Sequence, residues 1–290
     1  MKGYSANTPF FRHILLLAAI LCLSASAVFA QGKNKSEKGG SFCDNYNYSS
    51  ADKVSHKELR EAVVSGGGTV NVDARRNGGI RVRGENRSDV LVRACIQTRA
   101  ATEEEARAIA RGVRIETGST IRAEGGNDET NWAVSYEILV PRATNLKLTA
   151  HNGGIHISSV EGAMEFETTN GGVHLSEVGG DVRGKTTNGG VHVSLSGGSW
   201  RGNGLNLETS NGGVHLSVPE NFAARVEVGT TNGGFKSDFP ALSAEKPSER
   251  NGWNRQTRVT ADLNGGGAPI RIITTNGGVK ISSSSADRTM

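Results

Sequence analysis

Thr168-Thr169-Asn170-Gly171-Gly172-Val173-His174-Leu175-Ser176 is the stretch whose reading decides the fold of this 290-residue chain, because it recurs. Its central Asn-Gly-Gly followed by an apolar residue occurs seven times, beginning at Asn77, Asn152, Asn170, Asn188, Asn211, Asn232 and Asn276. Successive copies lie 75, 18, 18, 23, 21 and 44 residues apart, and the last interval reads as two steps of 22 with one marker missing. A unit of this size repeated along a chain signals an array in which each unit buries its apolar face against its neighbours.

Aligned on the Asn, the apolar residues fall into columns. Six and four residues before it stand Leu146 and Leu148, Met164 and Phe166, Leu205 and Leu207, Val226 and Val228, and Ile270 and Ile272, with Gly184 beside Val182 as the one break. Three and five residues after it stand Ile155 and Ile157, Val173 and Leu175, Val191 and Val193, Val214 and Leu216, and Val279 and Ile281, with Ser237 as the exception. Alternation with period two on both sides of a turn predicts two strands per unit, each with one buried and one wet face.

An Asn-Gly between alternating segments also signals a β-hairpin, so a meander is the competing arrangement. The outward positions favour stacking. Five before the Asn they read Lys147, Glu165, Arg183, Asn206 and Glu227, and three before it Glu167, Lys185 and Glu208. In stacked coils these residues become neighbours about 4.8 Å apart, with opposite charges alternating. The expected fold is all-β: a β-solenoid (β-helix) of about seven or more coils marked by Asn-Gly-Gly, spanning 146–282. Its Asn side chains form a ladder, and its glycines take backbone angles closed to other residues.

Residues 42–145 read as β-rich with one short helix. Thr102 to Glu105 is a capping-box pattern, Gly112 a stop, and Trp132, Val134, Tyr136, Ile138 and Val140 alternate as one strand ending at Pro141. This segment is expected to cap the solenoid's open end. It holds an irregular first copy at Asn77, whose preceding Val70 and Val72 are one residue out of column. Glycine, at 39 residues, is nearly twice the usual share of about 7%, as many tight turns require.

Lys2, Arg12 and His13 precede the apolar run Ile14 to Leu23 and the small-residue stretch Ser24 to Ala30. This is the layout of a secretory signal peptide over 1–30, cleaved after Ala30, and the run is shorter than the ~20 residues of a membrane span. Export is expected to the periplasm, outer surface or extracellular space, with no transmembrane segment in the mature chain. Residues 31–41 read as a flexible leader and 283–290 as a disordered tail. Cys43 and Cys95 form an even pair in an oxidising compartment and predict one disulfide. Removing residues 1–30 takes Lys2 and Arg12 and no acid, so the net charge falls from +4 to +2, without the basic excess of a nucleic-acid binder.

The helix-bearing segment, the strand ending at Val140 and Pro141, the serial T-T-N-G-G turns and the closing L-N-G-G-G-A-P-I-R-I-I-T-T-N-G-G-V-K-I from Leu263 resemble a family of bacterial exported proteins. That family carries β-strand repeats and a domain of unknown function, and its members are described as adhesins by inference. The resemblance covers Val63 to Ser282 and implies a β-helical, envelope-associated or secreted, non-enzymatic protein. It supplies no catalytic residues. The insertion from Ser237 to Arg258 departs from regular coils.

Four residues after the Asn, the outward column reads His156, His174, His192 and His215, continuing as Lys236 and Lys280, with Arg81 at the equivalent place in the first copy. Stacked imidazoles are candidate metal ligands, but rungs ~4.8 Å apart are not preset for bonds of ~2.0–2.1 Å. A column of histidines titrating near pKa ~6.5, and so gaining charge in mild acid, is the reading preferred over a metal site. Trp200, Trp253 and Phe239 are candidates for stacking on carbohydrate or for covering the core. No outward column concentrates carboxylates, so no catalytic residue, cofactor or metal is expected. The function read from the sequence is a surface scaffold presenting a repetitive face to a glycan, envelope polymer or protein. A polysaccharide-active β-helix enzyme is the first alternative and a metal-binding histidine-ladder protein the second.

Overall fold

Because one face of every repeat strand is apolar and the other polar, the units share a core only by laying equivalent strands side by side. The computed structural model describes residues 42–45, 52–126, 130–243 and 257–284 and is all-β, with two ten-stranded, parallel-rich sheets and one α-helix. The strand before each Asn-Gly-Gly enters one sheet and the strand after it enters the other. In the first, Asn145–Ala150, Glu161–Thr168, Gly179–Asn188 and Gly204–Asn211 are parallel and in register, so Leu146, Met164, Val182 and Leu205 line up, as do Leu148, Phe166, Gly184 and Leu207. In the second, Ile155–Ser158, Val173–Ser176, Val191–Ser194 and Val214–Pro219 align Ile155, Val173, Val191 and Val214. These columns form one buried cluster between the sheets. The parallel register excludes the meander and fits a solenoid.

Gly184 interrupts its column because Phe166 fills the vacancy: a Cβ on Gly184 would lie 1.9 Å from the Phe166 ring. The turns also differ from expectation. No glycine of the seven Asn-Gly-Gly turns has a positive φ, so the reason for glycine is close approach. A Cβ on the first glycine of the pair, at Gly153, Gly171, Gly189, Gly212, Gly233 or Gly277, would sit 2.0–2.1 Å from the carbonyl oxygen of its counterpart one rung away. At the second glycine the nearest atom is no closer than 3.1 Å.

The Asn amides run as a single one-way chain, each Nδ2 donating at 2.8–3.0 Å to the next Oδ1, from Asn232 to Asn276, Asn211, Asn188, Asn170, Asn152 and Asn77. Below them the buried Thr168, Thr186, Thr209, Thr230 and Thr274 hydroxyls each donate to a turn-glycine carbonyl at 2.7–2.8 Å. The buried hydroxyls thus find their partners in the turn one rung away, as buried polar groups require.

That amide chain discloses an order the sequence does not. The unit of Asn276 lies between those of Asn211 and Asn232: strand Pro269–Asn276 pairs with Gly204–Asn211 on one side and with Ala224–Asn232 on the other. The 44-residue interval is therefore not two regular steps with a lost marker. Its described residues include Thr257–Leu263, which runs antiparallel along Ala224–Asn232 at the end of the sheet, and the chain then turns back to insert its last unit one place inward.

At the other end, antiparallel strands Val54–Ser65, Asp89–Ala100 and Trp132–Pro141 extend the second sheet. Thr69–Asp73 stacks on Asn145–Ala150 with Val70 opposite Leu146 and Val72 opposite Leu148. The extra residue before Asn77 is absorbed at Arg75, whose φ of 55° is held by an N–H donated to Asp73 Oδ1 at 2.8 Å. The helix Glu103–Gly112 has both hydrogen bonds of the capping box, buries Ala106 and Ala110, and receives Arg60 on its last carbonyls. Cys43 and Cys95 are bonded, pinning the 3-10 turn Phe42–Asn45 to strand Asp89–Ala100. The strand Val279–Ser284 runs two residues into the stretch read as a tail. The stretches read as signal peptide and leader, together with Trp253 and residues 285–290, lie outside the described residues.

Candidate functional site

Stacking turns equivalent outward side chains into rows, and the two sheets carry different rows. On the first sheet Lys147, Glu165, Arg183, Asn206, Arg271 and Glu227 are successive neighbours. Charges alternate and pair: Lys147 with Glu165 at 3.8 Å, Arg271 with Glu208 at 2.7 Å and with Glu227 at 3.7 Å. This is an ordinary solvated, charge-balanced face.

The second sheet carries a row crossing all ten strands: Glu61, Arg93, Glu137, Arg81, His156, His174, His192, His215, Lys280 and Lys236. Its beginning is balanced, since Arg93 bonds Glu61 at 2.8 Å and Glu137 at 3.2 Å. Beyond Glu137 the row holds no carboxylate. The rings of His156 and His174 stack with centroids 4.5 Å apart, and those of His174 and His192 at 5.2 Å. The rings of His192 and His215 meet edge-on, with His192 Nε2 2.8 Å from His215 Nδ1, and His215 Nε2 meets Ser282 Oγ at 2.9 Å. Beside this row runs another of hydroxyls, Ser158, Ser176, Ser194, Ser217 and Ser282, entered from Arg83. The sequence reading missed the serine row although the repeated Ser two places after each His signals it. The continuation into Glu137, Arg93 and Glu61 carries no sequence signal.

Crowding changes the titration expected of the histidines. Burial, then His174 and Arg81, push His156 down to about 4. Burial, then His192, lowers His174, and burial, then His192 and Lys280, lowers His215. His156, His174 and His215 therefore charge less readily in mild acid than independent imidazoles would, which corrects the sequence expectation for those three. Folded-state pKa values below the unfolded value near 6.5 mean that the unfolded chain binds more protons between pH ~6.5 and ~4, so stability falls as pH drops through that window. Denaturant midpoints measured from pH 7 to pH 4 should fall, and a variant with all four histidines replaced by Thr should show a shallower fall while remaining folded at neutral pH.

Among the described residues no group of three or more His, Cys, Asp or Glu side chains is placed to hold a metal ion. Stacked rings present their nitrogens side by side, and His215 already engages both of its own. Zinc, copper and nickel are each expected to leave the melting temperature unchanged; a rise that disappears in the four-Thr variant would contradict this. Of the carbohydrate candidates, Trp200 is buried over the core with Nε1 donating to Gly180 O at 3.0 Å, and Phe239 packs partly buried against the core. One open depression among the described residues, lined by Asp73, Arg75, His151 and Glu167 among others, sits where the irregular first copy meets the regular units. No helix among the described residues is long and apolar enough to cross a membrane.

Fold and surface together define an all-β repeat protein whose distinguishing features are extended rows rather than a pocket. The chain belongs to the Toastrack DUF4097 family, whose model matches residues 96–282. The solved structures it is similar to include these three. One, from Clostridium sporogenes and provisionally described as a cell adhesion protein, is 11% identical with TM-score 0.39, over 80% of this chain and 100% of that one. Another, from Bacteroides fragilis and provisionally described as an adhesin, is 10% identical with TM-score 0.34, over 81% and 98%. A third, from Parabacteroides distasonis and provisionally described as a lipid binding protein, is 9% identical with TM-score 0.33, over 78% and 96%. No curated protein matches the chain.

Proposed function

We infer that the protein is an exported, non-enzymatic β-solenoid that works as a surface scaffold, presenting the histidine-bearing face of its second sheet to a partner in the cell envelope. The observation that carries this reading is the unbroken in-register row from Arg81 to Lys236, which repeats one chemistry at strand spacing over seven strands. A repeated face suits a partner that is itself repetitive. In this reading 146–282 are the solenoid, 42–145 its cap with the helix Glu103–Gly112 packed over it, and 1–30 a signal peptide removed after Ala30. The Cys43–Cys95 bond fits an oxidising compartment. The outward acids at 165, 208 and 227 are engaged with bases, which supports a scaffold over polysaccharide chemistry by paired carboxylates.

The purified chain, incubated with isolated envelope material and with a glycan array, is expected to retain a polymeric component. Intact mass of exported protein should place its first residue at Gln31. No retention of any envelope component would remove the scaffold reading, and a retained Met1 would remove the processing.

A further inference from the structure

Beyond Glu137 the second-sheet row lacks the interleaved acids and bases found on the first sheet. Arg81, Lys280 and Lys236 form no ion pair among the described residues, and Lys280 and Lys236 are direct register partners. Like charges placed opposite each other on neighbouring strands are destabilising, and nothing in the row offsets them. Between these cations stand imidazoles able to donate or accept hydrogen bonds, flanked by the serine hydroxyls. From Arg81 to Lys236 there are six strand steps, about 29 Å at ~4.8 Å each. The second-glycine column beside the histidines adds no side chain, which leaves the strip flat.

Charge density selects among linear anions. Double-stranded DNA carries one charge per ~1.7 Å, about 17 over this length, against three cations. A sparse anion rich in hydroxyls matches the strip better: its acid groups meet Arg81 and the two lysines, and its hydroxyls meet imidazole nitrogens and serine hydroxyls. We propose that the row from Arg81 to Lys236 binds a linear acidic polysaccharide, one bearing carboxylates on a polyol chain, laid across the strands of the second sheet. The inference rests on the scaffold reading and gives its partner a chemical class.

The test uses the full chain as exported and three probes at neutral pH: polygalacturonate, neutral dextran and single-stranded oligothymidylate. Polygalacturonate is expected to bind and to weaken with added salt. Its affinity should fall roughly tenfold in the variant Arg81→Ser/Lys236→Ser/Lys280→Ser, the scale expected when three exposed ion pairs with the ligand are removed together. The variant Arg183→Ser/Lys185→Ser on the opposite sheet should bind as the parent does, and dextran should not bind. Thermal melts verify that each variant is folded, and Lys236→Ser alone, on the short end strand Phe235–Ser237, keeps the test open if the triple variant misfolds. Absence of polygalacturonate binding, equal losses in both multiple variants, or oligothymidylate binding as tightly would each overturn the proposal. If polygalacturonate fails while envelope material is still retained, the acidic-glycan inference falls and the scaffold reading stands; if both fail, both fall.

Discussion

Gly171→Ala is expected to destabilise the protein by about 3 kcal/mol or more, while Gly172→Ala, one residue on, is expected to change stability by less than about 1 kcal/mol. The two glycines share a turn and neither has a positive φ, so backbone freedom does not distinguish them. What does is the neighbouring rung. A Cβ on Gly171 would meet Gly153 O at 2.0 Å and Gly154 N at 2.8 Å, all backbone, so the two neighbouring units would have to separate. A Cβ on Gly172 meets nothing nearer than Gly190 O at 3.4 Å. Separation at one rung would also break the Asn170 to Asn152 link of the amide chain and the Thr168 bond to Gly153 O. Chemical denaturation of the two single variants decides it, and equal losses would refute the close-approach explanation of the repeat.

The second large effect is expected at Phe166. Its ring is 2% exposed and occupies both its own place and that of the missing side chain at Gly184. Phe166→Ala should therefore cost about 3–5 kcal/mol, at the upper end for a buried truncation, because two rungs share the cavity. Gly184→Leu alone should be destabilising, since the new side chain enters the ring. Combined with Phe166→Ala it should recover part of the loss, a coupling of opposite sign to the single effects. Outward Glu167→Ala, next in sequence, should cost under about 1 kcal/mol. A Phe166→Ala loss no larger than that of Glu167→Ala, measured by denaturant titration, would show that the columns are assigned to the wrong faces.

Much of this architecture is legible in the chain because a period of two, repeated in fixed relation to Asn-Gly-Gly, specifies both which residues are buried and which lie side by side. The Thr102 to Glu105 box likewise marks its helix directly. Legibility ends where neighbours are equivalent or distant. The units of Asn211, Asn232 and Asn276 offer the same apolar columns, so nothing local tells which two adjoin; the antiparallel pairing of Thr257–Leu263 with Ala224–Asn232 accompanies the observed order. Gly184 looks like a defect until Phe166 is placed across from it. The depressed histidine pKa values arise from burial and from rings brought close by stacking, and the ion pairs of Arg93 arise from an antiparallel register that the repeat does not govern.

The inward placement of the last unit has a consequence for how the molecule can be made. A chain emerging amino terminus first could lay down its units one beside another as far as Asn211, but the strands of the Asn232 unit pair in parallel with strands that emerge afterwards. Until Pro269–Ser284 arrives, those strands must either wait without that partner or rest on the Asn211 unit and later be displaced. Completion of this stack is thus tied to delivery of the whole chain, and a protein truncated before Pro269 loses not a dispensable end but the middle of its distal half.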